Sequence, residues 1–262
     1  MEMLNIIDPV QFRTFLLVLM RISIVLFMFP IFSSNIFPST LKVGLALVLS
    51  LAFYSVVPVD LDRFPLDAVS TGVLIVMEAI VGLTLGLTVR VFLASVQLAG
   101  QVIGFQLGFA MINVLDPMSG ANVSILDQIG YWVCVVIFLL LDGHHMILSA
   151  LIQSFDLVPL GGGMLHTAAL TRMMELVANL FTVAIKIGAP VIAALLFVTV
   201  GFGLISKFSP QMNVMIVAMP LKVAVGLALF GLTLDIIALI TRDYVGGLKQ
   251  LLLYLLFYLA GG

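Results

Sequence analysis

The chain has 262 residues, of which 63% are hydrophobic and 9% are charged, and its formal net charge is −2. A soluble domain is normally closer to half apolar and a quarter charged, so this composition predicts a protein that lies in or beside a lipid bilayer. The thin, nearly balanced charge leaves no basic surface for nucleic acid, and the single cysteine, Cys134, excludes an intrachain disulfide and a cysteine metal site.

Apolar runs long enough to cross a bilayer recur along the whole chain. The first predicts a retained helix and not a cleaved signal, because Glu2 and Asp8 precede it where a signal would be basic. A run of roughly 18 or more apolar residues predicts a membrane helix. By this criterion there are about six candidate spans: Thr14–Phe32, Leu41–Val57, Thr71–Ala94, Ile125–Leu141, Leu176–Val200 and Val214–Ile240.

The apolar segment that follows these spans, Leu248–Leu259, is too short to cross comfortably and predicts a short C-terminal helix. No hydrophilic stretch is long enough to fold separately, so residues 1–262 are expected to form a single all-α membrane-embedded domain. Pro30, Pro190 and Pro220 lie within or at the end of apolar runs, where each removes a backbone donor and predicts a bent helix.

Several ionisable residues interrupt the apolar runs. A charge at membrane depth is unfavourable by a few kcal/mol, so each of these residues is expected to face protein, water or an opposite charge. Because cations and anions are mixed, ion pairs within the chain or with another subunit are favoured over an ion relay. The residues are Arg21, Glu78, Arg90, Glu175, Lys186, Lys222 and Asp235.

The stretch FLLLDGHHMILS brings Asp142, His144 and His145 close together in sequence. The chain contains neither an HExxH motif nor a spaced histidine pair, and adjacent histidines on a helix are expected to point in different directions. The sequence therefore favours a turn initiated by glycine, with imidazoles at the membrane interface, over a metal site. No metal and no cofactor are expected.

Glycines recur at every fourth position before the middle of the chain. Gly100, Gly104 and Gly108 form one such series, and Gly82 and Gly86 repeat the spacing. Small residues at this interval form a groove in which another membrane helix approaches closely. The pattern predicts tight helix packing but does not identify the partner helix.

The segment Phe105–Ser124 is too polar to face lipid and carries one formal charge, with no Lys or Arg. Its turn residues end the preceding helix, while its Phe and Met side chains are large, pliable and apolar. It is either a re-entrant element that lines or closes a cavity or a long external loop. The candidate plug residues are Phe105, Gln106, Phe109, Met111, Asn113, Asp116, Pro117 and Met118.

Four stretches in this order resemble the FliR family of flagellar export proteins, which is similar to the SctT-type components of injectisomes. They are RISIVLFMFPIFSSNIFPSTLKVGLAL, GQVIGFQLGFAMINVLDPMSGANVSILDQ, FLLLDGHHMILSALIQSFDLVPLG and FSPQMNVMIVAMPLKVAVGL. The resemblance covers nearly the full length.

The resemblance implies bent helical hairpins packed into a cone and a subunit of the type III export gate in the bacterial inner membrane, at the flagellar basal body. The implied partners are FliP and FliQ homologues, then FlhB and FlhA homologues, and the implied cargo is unfolded exported protein. The segment Phe105–Ser124 corresponds to the loop that plugs the central channel.

A secondary transporter and an intramembrane enzyme are the alternative classes of function. A secondary transporter of a small solute has broken helices near the midplane, but the internal repeats that it predicts are not apparent here. An intramembrane enzyme is disfavoured because the sequence lacks HExxH, a GxSxG elbow and paired membrane aspartates. The chain is therefore expected not to be an enzyme.

Overall fold

The computed structural model describes residues 9–32, 37–54, 57, 68–109, 125–163, 166–209, 211 and 214–261. Within these ranges the backbone forms seven helices, and the all-α class predicted from the sequence is confirmed. The helices are α1 (Pro9–Met28), α2 (Ser39–Tyr54), α3 (Ala68–Leu107), α4 (Ile125–Leu140), α5 (Gly143–Leu157), α6 (Thr167–Phe208) and α7 (Val214–Leu259).

Four of the described helices, α1, α3, α6 and α7, are long and apolar enough to cross a membrane. Helices α4 and α5 are bent at the break between them and count together as a fifth span. Helix α2 is apolar but has only 16 residues, fewer than the roughly 20 that a crossing needs. The described residues therefore contain four or five spans, compared with the six apolar runs counted in the sequence.

The three longest helices extend beyond the apolar runs that predicted them. Helices α3, α6 and α7 have 40, 42 and 46 residues. Helix α3 passes the predicted end at Ala94, and α7 includes the segment Leu248–Leu259, which is not a separate helix. A helix satisfies its backbone hydrogen bonds internally, so isolated polar residues and glycines do not have to end it.

The prolines act in two ways. Pro190 and Pro220 lie inside α6 and α7, which continue through them as single helices. Helix α1 instead ends at Met28, just before Pro30. A proline within a helix frees one carbonyl of the preceding turn, which neighbouring groups satisfy in membrane proteins.

The chain divides into two compact units. Unit 1 comprises Met1–Val91, Asp142–Leu176 and Val245–Gly262, and unit 2 comprises Phe92–Leu141 and Val177–Tyr244. The expectation of one domain over residues 1–262 stays a prediction.

In unit 1, glycines allow α3 to approach α1 closely. A Cβ atom added at Gly82 would lie 3.0 Å from the backbone oxygen of Arg21, and one added at Gly86 would lie 2.5 Å from the Cβ of Met28. Any larger residue at these positions would push the two helices apart. The four-residue spacing of small residues is thus used for helix contact within this chain.

In unit 2, the core is a buried apolar cluster contributed by four helices. Its members are Ile103 and Leu107 of α3, Leu126 of α4, Val191 and Leu195 of α6, and Phe230 of α7. The single cysteine is buried as a free thiol beside this unit's helix α7, with its Sγ 3.3 Å from the hydroxyl of Thr241.

Candidate functional site

Helix α3 ends in a Schellman motif. This motif lies where the segment Phe105–Ser124, which carries a single formal charge, begins. Gly108 has a φ of +86°, in the left-handed region that glycine adopts without strain. Its N–H donates to the carbonyl oxygen of Phe105 (3.0 Å), and the N–H of Phe109 donates to that of Gly104 (3.1 Å). These two bonds satisfy the last carbonyls of a helix that ends at Leu107.

The first candidate plug residues have different environments. The side chain of Phe105 is 66% exposed, and Gln106 is also exposed. Phe109 is half-buried and packs against the apolar cluster of unit 2. The plug role stays a prediction, and five of its residues lie outside the described part of the chain: Met111, Asn113, Asp116, Pro117 and Met118.

The helices on either side of residues 110–124 belong to one packed region of unit 2. Leu107, at the end of α3, and Leu126, at the start of α4, are members of the same buried cluster. A Cβ added at Gly100 would lie 2.5 Å from the Cα of Asp127, so the backbones of α3 and α4 are in direct contact. The described residues on either side of residues 110–124 therefore lie close together, in a region called here the base: Gly100, Leu107, Leu126 and Asp127.

A polar contact between the exposed side chain of Gln101 and the buried side chain of Asp127 lies within this base. Asp127 stands in the first turn of α4 and is only 5% exposed. Its Oδ2 accepts a hydrogen bond of 3.1 Å from Nε2 of Gln101, and the N-terminal end of the helix favours its negative charge. Its Oδ1 is closed to solvent and has no hydrogen-bond partner among the described residues. Asp127 thus keeps one buried acceptor beside the segment.

The glycine series of α3 meets other helices of the same chain. Gly100 contacts the backbone of α4, as described above, and Gly104 is buried. A Cβ at Gly108 would lie 3.0 Å from the terminal methyl carbon of Met219 in α7. Because that methyl group ends a flexible side chain, the left-handed backbone of Gly108 restricts this position more than the space around it does.

Two of the seven charges found in the apolar runs form a buried ion pair in unit 1. Nε of Arg21 in α1 lies 2.6 Å from Oε2 of Glu78 in α3, and both side chains are almost fully buried. The second carboxylate oxygen, Oε1, accepts a hydrogen bond of 2.9 Å from the N–H of Gly161. Both oxygens of Glu78 are therefore satisfied by different segments.

The same guanidinium binds the C-terminal end of α5. Nη1 of Arg21 donates to the carbonyl oxygens of Ser154 (2.9 Å) and Val158 (3.0 Å), and Nη2 also donates to Val158 (3.0 Å). The group lies 4.4 Å from the centre of the Phe155 ring. A cation at a helix C-terminus is favourable because the free carbonyls carry partial negative charge. Arg21 thus joins α1, α3 and α5 at one point.

The other five charges are not buried by this chain. Glu175 is exposed and accepts a hydrogen bond of 2.6 Å from Arg172, one turn earlier in α6. Lys222 is half-buried. The described residues give no ion-pair partner to the exposed side chains of Arg90, Lys186 and Asp235. Their pairing with another subunit stays a prediction.

Asp142, His144 and His145 lie together where α5 begins. One donor atom from each lies within 4.8 Å of the others, and the two imidazole centroids are 4.1 Å apart. The expectation that neighbouring histidines point apart is wrong here, because rotation about their side-chain bonds brings both rings to one side. The turn before α5 is present, and Asp142 occupies it with a φ of 58°.

Sequence reasoning missed two of these features. The first is Asp127, for which the sequence does carry a signal, because a carboxylate just after a turn-rich segment indicates a helix start. The second is the helix end at Gly108, a residue whose spacing from Gly100 and Gly104 by itself indicates only helix packing. Gly108 is the last of the glycines spaced four residues apart, and residues typical of turns follow it. Together these features indicate both helix packing and the end of the helix.

These observations define a class of protein, the all-α polytopic membrane protein with closely packed helices and a tethered, charge-poor connector. A model of the family described as "Bacterial export proteins, family 1" matches residues 12–248. The chain is 30% identical to flagellar biosynthetic protein FliR of Bacillus subtilis (strain 168) over 245 residues, covering 91% of this chain and 92% of that protein.

Two further relatives bear the same name. Flagellar biosynthetic protein FliR of Escherichia coli (strain K12) is 28% identical over 221 residues, 84% of each chain. That of Aquifex aeolicus (strain VF5) is 28% identical over 244 residues, covering 90% of this chain and 93% of that protein. The chain belongs to the FliR family of flagellar export proteins. It is a membrane component of the flagellar export apparatus with a structural role and not an enzyme.

Proposed function

We propose that this chain is a subunit of the flagellar type III export gate in the bacterial inner membrane, at the base of the flagellum. It assembles with FliP and FliQ homologues around a channel for unfolded substrates and contacts FlhB and FlhA homologues. The segment Phe105–Ser124 closes that channel at rest.

The observation that carries the proposal is the unpaired charge on otherwise apolar helices. In the most apolar stretches of α6 and α7, only 28% and 22% of the residues are buried within the chain. Lys186 of α6 and Asp235 of α7 are exposed and lack an ion-pair partner among the described residues. A charge facing lipid is unfavourable by a few kcal/mol, so these helix faces favour contact with partner subunits.

The tethered segment supports the plug role. The helices on either side of it are joined at the base, through the packing of Leu107 and Leu126 in one cluster and the contact of Gly100 with Asp127. A plug that moves aside for a passing substrate has to be attached firmly at its ends. Its side chains have to be apolar and largely uncharged so that they exclude water. Phe105 is a large apolar side chain of this kind, largely exposed at the end of α3 and next to the base.

Co-purification tests the assembly. The tagged full-length chain, co-expressed with FliP and FliQ homologues, is expected to elute with both in a complex of defined mass on native mass spectrometry. Lys186→Met is expected to reduce the yield of that complex at least about tenfold, because it leaves a partner carboxylate buried and unpaired.

The matched control is Arg172→Met, which removes a cation from the same helix. Arg172 is exposed and paired with Glu175 inside the chain, so its loss is expected to leave the yield close to that of the parent. A chain that purifies alone as a stable monomer in the presence of both homologues would overturn the proposal. Equal yields of complex for the two variants would show that Lys186 does not contribute to the interface.

A further inference from the structure

We propose that Asp142, His144 and His145 bind one divalent transition-metal ion of the zinc class at the start of α5. The proposal rests on the geometry of unit 1 and is independent of the export function. Two imidazole nitrogens and one carboxylate oxygen form the ligand set, and water completes it.

The distances suit such an ion. In a tetrahedral zinc site with bonds of about 2.0–2.1 Å, the ligand atoms lie roughly 3.3 Å apart. Nδ1 of His145 and Oδ1 of Asp142 are already 3.1 Å apart, and the donor atoms of all three residues lie within 4.8 Å of one another. Side-chain rotation by His144 therefore has to close a gap of at most roughly 1.5 Å to complete the set.

The donors select the kind of metal. Neutral imidazole suits Zn²⁺, Ni²⁺ and Cu²⁺, whereas Mg²⁺ and Ca²⁺ prefer sites built from oxygen. The side chains of Asp142 and His145 are each 69% exposed, which gives an ion a path of entry and leaves room for a bound water. The positive N-terminal end of α5 opposes a cation, but only weakly in comparison with three metal–ligand bonds.

The histidines are available as ligands. Nδ1 of His144 is closed to solvent and has no hydrogen-bond partner among the described residues, so no hydrogen bond at that atom fixes the ring. The described contact of His145 is with Asp142 itself, through the 3.1 Å approach that an ion would bridge. In the absence of metal, the same contact is a hydrogen bond that holds the two side chains near their ligand positions.

The test is metal titration of the purified full-length chain in detergent after treatment with a chelator. The parent is expected to bind one Zn²⁺ per chain by calorimetry and to give the intense visible absorption of four-coordinate Co²⁺. His144→Asn, His145→Asn and Asp142→Asn are each expected to weaken Zn²⁺ binding at least tenfold. Asparagine tolerates the left-handed backbone at position 142, so the turn is kept.

The matched control is His166→Asn, since the chain has only three histidines and His166 is the one outside the cluster. It is expected to bind Zn²⁺ as tightly as the parent, and a tenfold excess of Mg²⁺ is expected not to displace the metal. Circular dichroism and the elution volume check that each variant is folded.

A parent chain without stoichiometric Zn²⁺ binding, or with binding that all three substitutions leave unchanged, would overturn the site. If the variants do not fold, the Co²⁺ spectrum of the parent decides between the weak absorption of a six-coordinate ion, which contradicts the site, and the intense four-coordinate form. Assembly with FliP and FliQ homologues is measured separately, so neither result bears on the proposed function.

Discussion

Arg21 places a full positive charge among side chains and carbonyl groups of α1, α3 and α5, with no exposure to solvent. Its contacts reach the carboxylate of Glu78 and the last carbonyls of α5. Such a group is stable only while every partner is in place, because a buried charge without a partner loses its hydration and gains nothing in return.

Arg21→Met is therefore expected to lower the free energy of unfolding by about 3–5 kcal/mol, because it leaves the Glu78 carboxylate buried and unpaired. The double variant Arg21→Met, Glu78→Leu is expected to recover part of this loss. The measurement is the midpoint of denaturant-induced loss of helical circular dichroism in detergent. Arg172→Met, which breaks an exposed pair, is the control and is expected to change stability by about 0–1 kcal/mol. Equal effects for Arg21→Met and Arg172→Met would contradict the role given to the buried pair.

Gly108 is the second residue whose identity is set by local geometry. Gly108→Ala is expected to destabilise the end of α3 by about 1–2 kcal/mol, since its φ of +86° is unfavourable for any residue with a Cβ. Thermal unfolding of the purified chain in detergent, followed by circular dichroism, measures the change. Gly231→Ala in α7, where a Cβ meets nothing within 4 Å, is the control and is expected to be neutral or slightly stabilising. If Gly108→Ala unfolds at the same temperature as the parent, the Schellman motif is not needed for stability.

At the scale of helices, α3 and α4 of unit 2 meet backbone against backbone. The atoms nearest to a Cβ at Gly100 are backbone atoms of Leu126 and Asp127, between 2.5 and 2.9 Å away. Backbone atoms cannot rotate aside as a side chain does. A single methyl group at this position therefore has to displace a whole helix together with the base of the tethered segment.

Gly100→Ala is expected to prevent a stable complex with FliP and FliQ homologues, read as loss of the complex band on a native gel at equal expression. Gly72→Ala adds the same methyl group to the same helix at a position that is open to 4 Å, and is expected to assemble like the parent. If both variants assemble normally, the backbone contact between α3 and α4 does not hold the base.

The helices themselves were largely predictable from the sequence, because long apolar runs have few alternatives to a helix in lipid. Helix α5 was missed because the stretch from Asp142 to His145 has turn chemistry at its start, which hides the helix that follows. The apolar run Thr71–Ala94 ends before α3 does, because Gln97 and Gln101 interrupt the run without interrupting the helix, although the glycine series that follows already predicts helix packing there.

The sequence predicts several residues of the candidate site but not which of them contact one another. The sequence identified Arg21 and Glu78 as charges that need partners, but they are 57 residues apart, and which helices become neighbours depends on packing. The same limit applies to Asp127, whose burial follows from the contact at Gly100 and not from any local pattern.

At the scale of the whole molecule, we propose that the chain is one part of a larger channel. In the most apolar stretches of α6 and α7 only 28% and 22% of the residues are buried within the chain, and Lys186 and Asp235 are exposed. In this proposal other subunits cover these faces. In this proposal the segment between α3 and α4 supplies the closure. An apolar constriction blocks ions chiefly by excluding water, so its large side chains matter more than any single hydrogen bond.

The most direct measurement of this claim is the ion conductance of resting complexes in planar bilayers. Residues 110–118 are replaced by a Gly/Ser segment of equal length, while Phe109 is kept because it packs against the core of unit 2. A second variant carries the same nine positions in scrambled order, which preserves their apolar volume, and complex abundance is matched throughout. The Gly/Ser variant is expected to assemble and to conduct ions at rest, at a conductance well above that of both the parent and the scrambled control. A Gly/Ser complex that assembles normally and leaks no more than the parent would show that the segment is an ordinary connector.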